Sequence, residues 1–252
     1  MSDISIESQF LKFPTSMISD ALDEIGINGA VSGISAQRYD QGRVVGRALP
    51  VKFEKKDKDP KAWRFGGGVG KPLEQVLKTM TKGQVVVMDL QGAINATAWG
   101  GLASKLAQKK GVVGTIMNGT CRDLEEIREC GYPVWAIGVC PRRSRNDFTF
   151  GSINETISVA DVEISKNDII VADQSGVVCV PESRLLGRLP LSFSARRRSI
   201  ASRFVSRGQS SGCVSVLGCD RARSGRDRHE LGGKSCRTVR PWGLPRPRTI
   251  CR

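Results

Sequence analysis

Along residues 1–186 the apolar positions alternate between a helical rhythm and short unbroken runs, and these switches predict an α/β chain. Ile18, Ala21, Leu22 and Ile25 recur at helical spacing between Pro14–Thr15 and Gly26, which predicts a helix over 14–26. Residues 43–53 (RVVGRALPVKF) read as a strand, in which Pro50 points to an edge or a bulge. A polar, glycine-rich loop follows, then a helix over 73–80. The run VVVMDL at 85–90 predicts a buried strand. A glycine-bounded loop leads to a helix over 99–111, with Leu102, Ala103, Leu106 and Ala107 on its inner face and Gly111 as its stop. The next strand, 112–117, runs into a tight glycine turn. A charged helix then opens at Arg122–Asp123, turns Leu124 and Ile127 inward, and ends at Gly131–Tyr132–Pro133. Strands follow at 134–139, 156–164 and 168–181, the last a hairpin about Gln174–Ser175–Gly176. Strand–helix–strand–helix–strand in the middle implies parallel pairing, and the β-rich end implies antiparallel pairing. The whole is one α/β domain with a mixed sheet and flanking helices.

Charge separates this body from the C-terminal quarter of the chain. The net charge of the 252 residues is +14, but residues 187–252 carry 16 Lys+Arg against 3 Asp+Glu, which leaves residues 1–186 almost neutral. Apolar periodicity stops near Leu186, and Arg, Ser, Gly and Pro dominate from there. Two readings fit this tail: a disordered basic arm, or a stretch translated out of the natural frame from about residues 184–190. No basic repeat, aromatic interleaving or spaced Cys/His set is present, which favours the second, so nucleic-acid binding is not expected. The domains expected are therefore 1–186 and the tail 187–252. No run approaches a membrane span, and the first ten residues lack a signal peptide's basic and apolar regions. A cytoplasmic protein with reduced thiols is the expectation.

The one histidine, His229, lies in the tail, so the body holds none. That excludes Ser-His-Asp hydrolysis, Cys-His chemistry and His-ligated zinc there. The glycine run before Lys71 fails the phosphate-loop spacing, which needs glycine at Phe65 and a hydroxyl residue at Pro72. What is left is a pair of helix starts beyond the carboxyl ends of buried strands, the usual place for a ligand in an open α/β sheet. One is Gly100–Gly101–Leu102–Ala103, whose unpaired N–H groups suit a carboxylate or a phosphate. The other is Arg122–Asp123. The arginine can hold an oxyanion, and the aspartate a hard divalent cation completed by water. A purely structural reading also fits. Thr120-x-x-Asp123 matches a capping box, and Arg122 and Glu126 are i,i+4 partners. Cys121 reads as a buried filler, since no histidine is at hand to activate it.

The stretch WGGLASKLAQKKGVVGTIMNGTCRDLEEIRECGYPVWAIGVCPR resembles the RraA-like family, which includes class II 4-hydroxy-4-methyl-2-oxoglutarate aldolases and oxaloacetate decarboxylases. SDALDEIGINGAVSGI, GRVVGRALPVK and NDIIVADQSGVVCVP extend the resemblance over roughly residues 12–186. It implies a compact single domain of the swivelling β/β/α type, assembled as a homotrimer or hexamer. It also implies a carbon–carbon lyase that releases pyruvate from a 2-oxo acid through an enolate. In that scheme Asp123 binds Mg²⁺ or Mn²⁺ and Arg122 contacts the pyruvate unit. The backbone of Gly100, Gly101, Leu102 and Ala103 binds the substrate carboxylate. Two departures stand out. Clear aldolases often carry an acidic residue where this chain has Gly101, which favours decarboxylation over aldol cleavage. The family's C-terminal helical region, which can bring a carboxylate to a neighbour's site, is replaced by the tail. The family also contains non-catalytic regulators that bind an RNA-degrading endonuclease, but these typically lack the metal-binding aspartate.

Overall fold

A computed structural model of the chain describes residues 5–56, 70–144 and 147–185, with the side chains of 70–72 excepted. All described residues lie in one unit, within Met1–Gly208. The expected tail, 187–252, falls outside the described residues, as does most of the loop before α3.

The strands are β1 (Ala30–Val31), β2 (Ser35–Ala36), β3 (Val44–Lys55), β4 (Gln84–Trp99), β5 (Gly114–Cys121), β6 (Val134–Val139), β7 (Phe148–Ile153), β8 (Ile157–Val159), β9 (Val162–Ile164), β10 (Ile169–Asp173) and β11 (Gly176–Val180). The helices are α1 (Ile6–Phe10), α2 (Thr15–Asp23), α3 (Gly70–Thr79), α4 (Gly101–Lys109) and α5 (Leu124–Cys130). Nine strands make one mixed sheet in the order β1-β11-β10-β3-β4-β5-β6-β2, and β7 also pairs with β3. β3, β4, β5 and β6 run parallel, and the pairings of β10, β11, β1, β2 and β7 are antiparallel. The mixed sheet with flanking helices is thus the one the periodicity predicts.

Strand alternation divides the core between two faces. Leu49, Val51 and Phe53 of β3 and Val86, Met88 and Leu90 of β4 pack against Val76 and Met80 of the α3 region, Ala103 and Ala107 of α4 and Ile127 of α5. Val45, Ile169, Val171, Val178 and Val180 meet Phe10, Ile18 and Leu22 of the N-terminal helices. The opposite face, with Ala48, Val85, Val87, Ile116, Ile170 and Ala172, is covered by the β8–β9 hairpin. The layers are therefore a two-stranded sheet, the main sheet, and helices.

Several boundaries differ from the sequence pattern. β3 is an interior strand, and Pro50, which has no N–H to donate, falls where its antiparallel partner changes from β10 to β7. Residues 91–99, expected as a loop, continue β4, with Gln91 and Gly92 at positive φ as the strand bends. The expected glycine turn after 117 is also strand. At Gly119, β5 runs so close to β4 that a Cβ would sit 3.0 Å from the Leu90 Cβ. Ile25 is exposed rather than inward, because the helix ends before it. α1, β1, β2 and β7 had no sequence prediction, being short or polar on one side.

Candidate functional site

β4 and β5 end side by side, Trp99 opposite Cys121, so the two turns that follow them meet. Buried hydrogen bonds fix both ends. The Thr97 hydroxyl donates to the Thr120 carbonyl. The Thr120 hydroxyl donates to the Ala96 carbonyl at 3.0 Å. The Arg122 N–H donates to the Trp99 carbonyl at 3.1 Å. Thr120 is therefore committed to the sheet and is no helix cap, and α5 begins at Asp123 without a side-chain cap. The capping-box reading fails. So does the Arg122–Glu126 pairing, because Glu126 takes Lys105 instead, at 2.9 Å.

Asp123 holds a left-handed backbone, φ 54° and ψ 46°, which costs a non-glycine residue energy and is a form of strain concentrated at functional sites. The turn aims its carboxylate at the start of α4. Asp123 Oδ2 accepts from the Gly101 N–H at 3.3 Å and lies 3.4 Å from Arg122 Nε. Gly100 makes this approach possible, since a Cβ there would collide with Asp123 Oδ2 and lie 3.0 Å from Arg122 Cγ. At Gly101 the equivalent space is taken by Glu126, whose Cβ would be 2.6 Å from an added Cβ. An acidic side chain at 101 would have to displace it.

The α4 start is braced from behind. Trp99 is buried and stacked on Tyr132 with centroids 6.4 Å apart. Its Nε1–H donates to Ser104 Oγ at 2.9 Å, and the Ser104 hydroxyl donates to the Gly100 carbonyl at 3.0 Å. In front lies a cavity of about 220 Å³ lined by Gly100, Leu102, Ala103, Arg122 and Asp123. Five of the six residues singled out from sequence therefore share one cavity. The sixth, Gly101, is buried and turns its N–H to Asp123 rather than into the cavity. Leu102 and Leu106 were expected on the inner face of α4, but they are 71% and 39% exposed. α4 packs through its small residues, Ala103, Ser104 and Ala107.

The remaining walls were not read from the sequence. Leu73 and Leu77 of α3 contribute apolar surface, and Thr97, Arg143 and Ser144 close another side. The last two follow β6, so the rule that ligands gather beyond the carboxyl ends of parallel strands extends to them. Cys121 is buried, and burial pushes its thiol up to about 11, which makes it a filler and no nucleophile.

Among the described residues there is no cluster of three or more His, Cys, Asp or Glu able to cage a metal. The donor chemistry still suits one hard cation. Asp123 is partly exposed to the cavity, and its two described partners both take Oδ2, leaving Oδ1 available. Mg²⁺-type ions commonly bind through one carboxylate with water and substrate oxygens completing the shell.

The Aldolase/RraA model of the RraA-like family matches residues 15–179. Protein DlpA of Legionella pneumophila is 30% identical over 178 residues, 70% of this chain. That match spans only 28% of DlpA's own length. A Thermus thermophilus protein named 4-hydroxy-4-methyl-2-oxoglutarate aldolase is 30% identical over 110 residues, 44% of this chain and 66% of that protein. Among solved structures, Streptomyces coelicolor RraAS2, described as an unusual member of the RNase ES inhibitor RraA family, superposes with a TM-score of 0.66. It is 24% identical, and the match covers 78% of this chain and 94% of that one. This last likeness establishes the fold.

Proposed function

The chain belongs to the RraA-like family, and from that membership we propose that it is a divalent-metal-dependent carbon–carbon lyase acting on 2-oxo acids. Its reactions would be decarboxylation of oxaloacetate, aldol cleavage of 4-hydroxy-4-methyl-2-oxoglutarate, or both, with release of pyruvate. The observation that carries this reading is the convergence of Arg122, Asp123 and the start of α4 on one cavity.

The first-turn N–H groups of Leu102 and Ala103 have no acceptor within their own helix and suit the substrate's 1-carboxylate. Asp123 would hold Mg²⁺ or Mn²⁺, which when bound supplies Lewis-acid polarisation of the 2-oxo group. In decarboxylation the C3–C4 bond breaks, carbon dioxide departs, and the bonding electron pair passes into the pyruvate enolate. Protonation at C3 then gives pyruvate. Arg122 places fixed positive charge where the enolate oxygen collects negative charge, so it is worth more in the transition state than in the bound ground state. Leu73, Leu77 and Leu102 keep much of the wall apolar, which limits water and strengthens that attraction. No described group near the site is a histidine, and decarboxylation needs no base. Together with Gly101 this favours decarboxylation over aldol cleavage.

Pyruvate release from oxaloacetate is the direct test. Turnover is expected with Mg²⁺ or Mn²⁺, is abolished by EDTA, and is lost in Asp123→Ala. Turnover that ignores EDTA or survives that substitution overturns the mechanism. Arg122→Ala should retain metal binding and lose about 10²–10³-fold in kcat.

The membership of RraAS2 in a family of RNase ES inhibitors supports a second reading, an endonuclease-binding regulator without catalysis. Asp123 and the built cavity behind it weigh against it. Capture of such an endonuclease by a chain with no metal-dependent lyase activity would reverse the choice.

A further inference from the structure

Two arginines follow β6, and the fold uses them differently. The Arg142 guanidinium is committed to the scaffold, donating to the Asn95 carbonyl at 3.2 Å and to Asp147 Oδ1 at 2.9 Å. Its carbonyl accepts from the Thr97 N–H, and the Ser144 N–H donates to the Thr97 carbonyl, both at 2.9 Å. Arg143 is thereby clamped by its backbone alongside β4 at Thr97. Its side chain is exposed, lines the Arg122–Asp123 cavity, and has no acceptor among the described residues. Beside it, Ser144 lines the same cavity, is fully buried, and leaves its hydroxyl without a hydrogen-bond partner among the described residues. A buried unpaired hydroxyl is costly unless something outside the protein answers it.

Charge points the same way. The cations among the described lining residues are Arg122 and Arg143, against the single carboxylate of Asp123. A divalent ion on Asp123 widens the positive excess, and a dicarboxylate offsets one charge more of it than a monocarboxylate does. Arg122 is already drawn to Asp123 at the 2-oxo end. Arg143 has no such tie and suits planar recognition of a carboxylate.

Resting on the lyase reading above, we propose that Arg143, backed by Ser144, binds the far carboxylate of a dicarboxylic 2-oxo acid and so selects dicarboxylates over monocarboxylates. Arg143 is then a specificity residue, and Arg122 and Asp123 serve the 2-oxo end of the substrate.

Calorimetric titration of the full chain with Mn²⁺ present tests this with two unreactive ligands. Oxalate fills only the 2-oxo acid end, whereas 2-oxoglutarate also carries a far carboxylate. Arg143→Met should weaken 2-oxoglutarate at least tenfold and oxalate less than twofold, and Arg143→Lys should recover part of the loss. Ser144→Ala should weaken 2-oxoglutarate several-fold and leave oxalate alone. With oxaloacetate, whose far carboxylate is itself lost as carbon dioxide, Arg143→Met should raise KM without lowering kcat, because the ion pair is made in the ground state and given up in the transition state. Equal losses for both ligands, as misfolding would give, overturn the assignment, as does no loss for either, or a wild-type chain that binds neither. The Arg143-dependent difference without any pyruvate release would instead sink the lyase reading and leave the carboxylate assignment standing.

Discussion

At the residue scale the site depends on what is absent as much as on what is present. Gly100 has no Cβ, and the space this leaves is where Asp123 Oδ2 and Arg122 Cγ come in. Its φ of −159° is ordinary extended backbone, so the constraint is space alone. Gly100→Ala should therefore push the carboxylate off the α4 start. The expected cost is about 1–3 kcal/mol of stability from overpacking and about 10²-fold in kcat/KM from misplaced groups. Thermal unfolding and steady-state kinetics check the two parts. The Arg122–Asp123 pair was legible in the sequence, but the competing capping-box reading was equally legible. What removes the capping box is Thr120, whose hydroxyl turns back to the Ala96 carbonyl, a contact across strands that local spacing does not encode. Cysteine chemistry can be checked as directly. Cys121 and Cys179 are buried, and burial raises both thiols, whereas Cys130 and Cys140 are half-buried. Mass-mapped alkylation of the native chain at neutral pH should modify Cys130 and Cys140 well before Cys121 or Cys179.

At the element scale, the strands and helices with strong periodicity lie close to their expected places, and the errors collect where strands run on past their apolar runs. β4 continues through Gln91–Trp99 and β5 through Asn118–Cys121. Both extensions are rich in small and polar residues, whose own preferences are for loops. Pairing with a neighbouring strand overrides those preferences, because buried backbone groups need partners. These extensions carry the two helix starts to the same point. Trp99 then sets the height of α4 through its hydrogen bond to Ser104. Trp99→Phe keeps an aromatic ring and removes the N–H donor. The expected result is a loss of about 1–2 kcal/mol, from the missing bond and the incompletely filled space. A higher KM should accompany it, since the Leu102 and Ala103 amides lose their brace. A KM unchanged at equal stability loss would show that α4 is positioned by its packing on α5 alone. The α4 error has a simple origin. Leu102 and Leu106 fit a helical stripe, but the buried side of α4 is made by the small residues beside them, Gly101, Ala103, Ser104 and Ala107.

At the scale of the whole described body, Asp173 joins the two ends of the fold. Its carboxylate accepts from the Thr15 N–H at 3.0 Å and the Thr15 hydroxyl at 2.7 Å, which starts α2, and from Arg43 Nε at 3.3 Å, just before β3. The Ser175 N–H, in the β10–β11 turn, donates at 2.9 Å. Burial alone would raise this carboxyl, but the hydrogen bonds from Thr15, Ser175 and Arg43 outweigh it and hold it below its ordinary 3.8. A group lowered on folding stabilises the protein above its unfolded value, and that contribution drains away as the pH falls through the folded one. Asp173→Asn should therefore cost about 2 kcal/mol near pH 7, and the gap from the parent should close below pH 3.8. Denaturant melts at neutral and acid pH read this directly. The sequence by itself determined the alternation of strands and helices, the mixed pairing, the absence of histidine from the body and the adjacency of Arg122 and Asp123 at a helix start. Each of these is a local pattern of periodicity or composition. Only the tertiary structure decided that Gly100 must admit the Asp123 carboxylate, that Glu126 occupies the space beside Gly101, and that Arg143 and Ser144 complete the cavity. Those relations join residues that are distant in the chain, and they exist only once the parallel strands bring their carboxyl ends together.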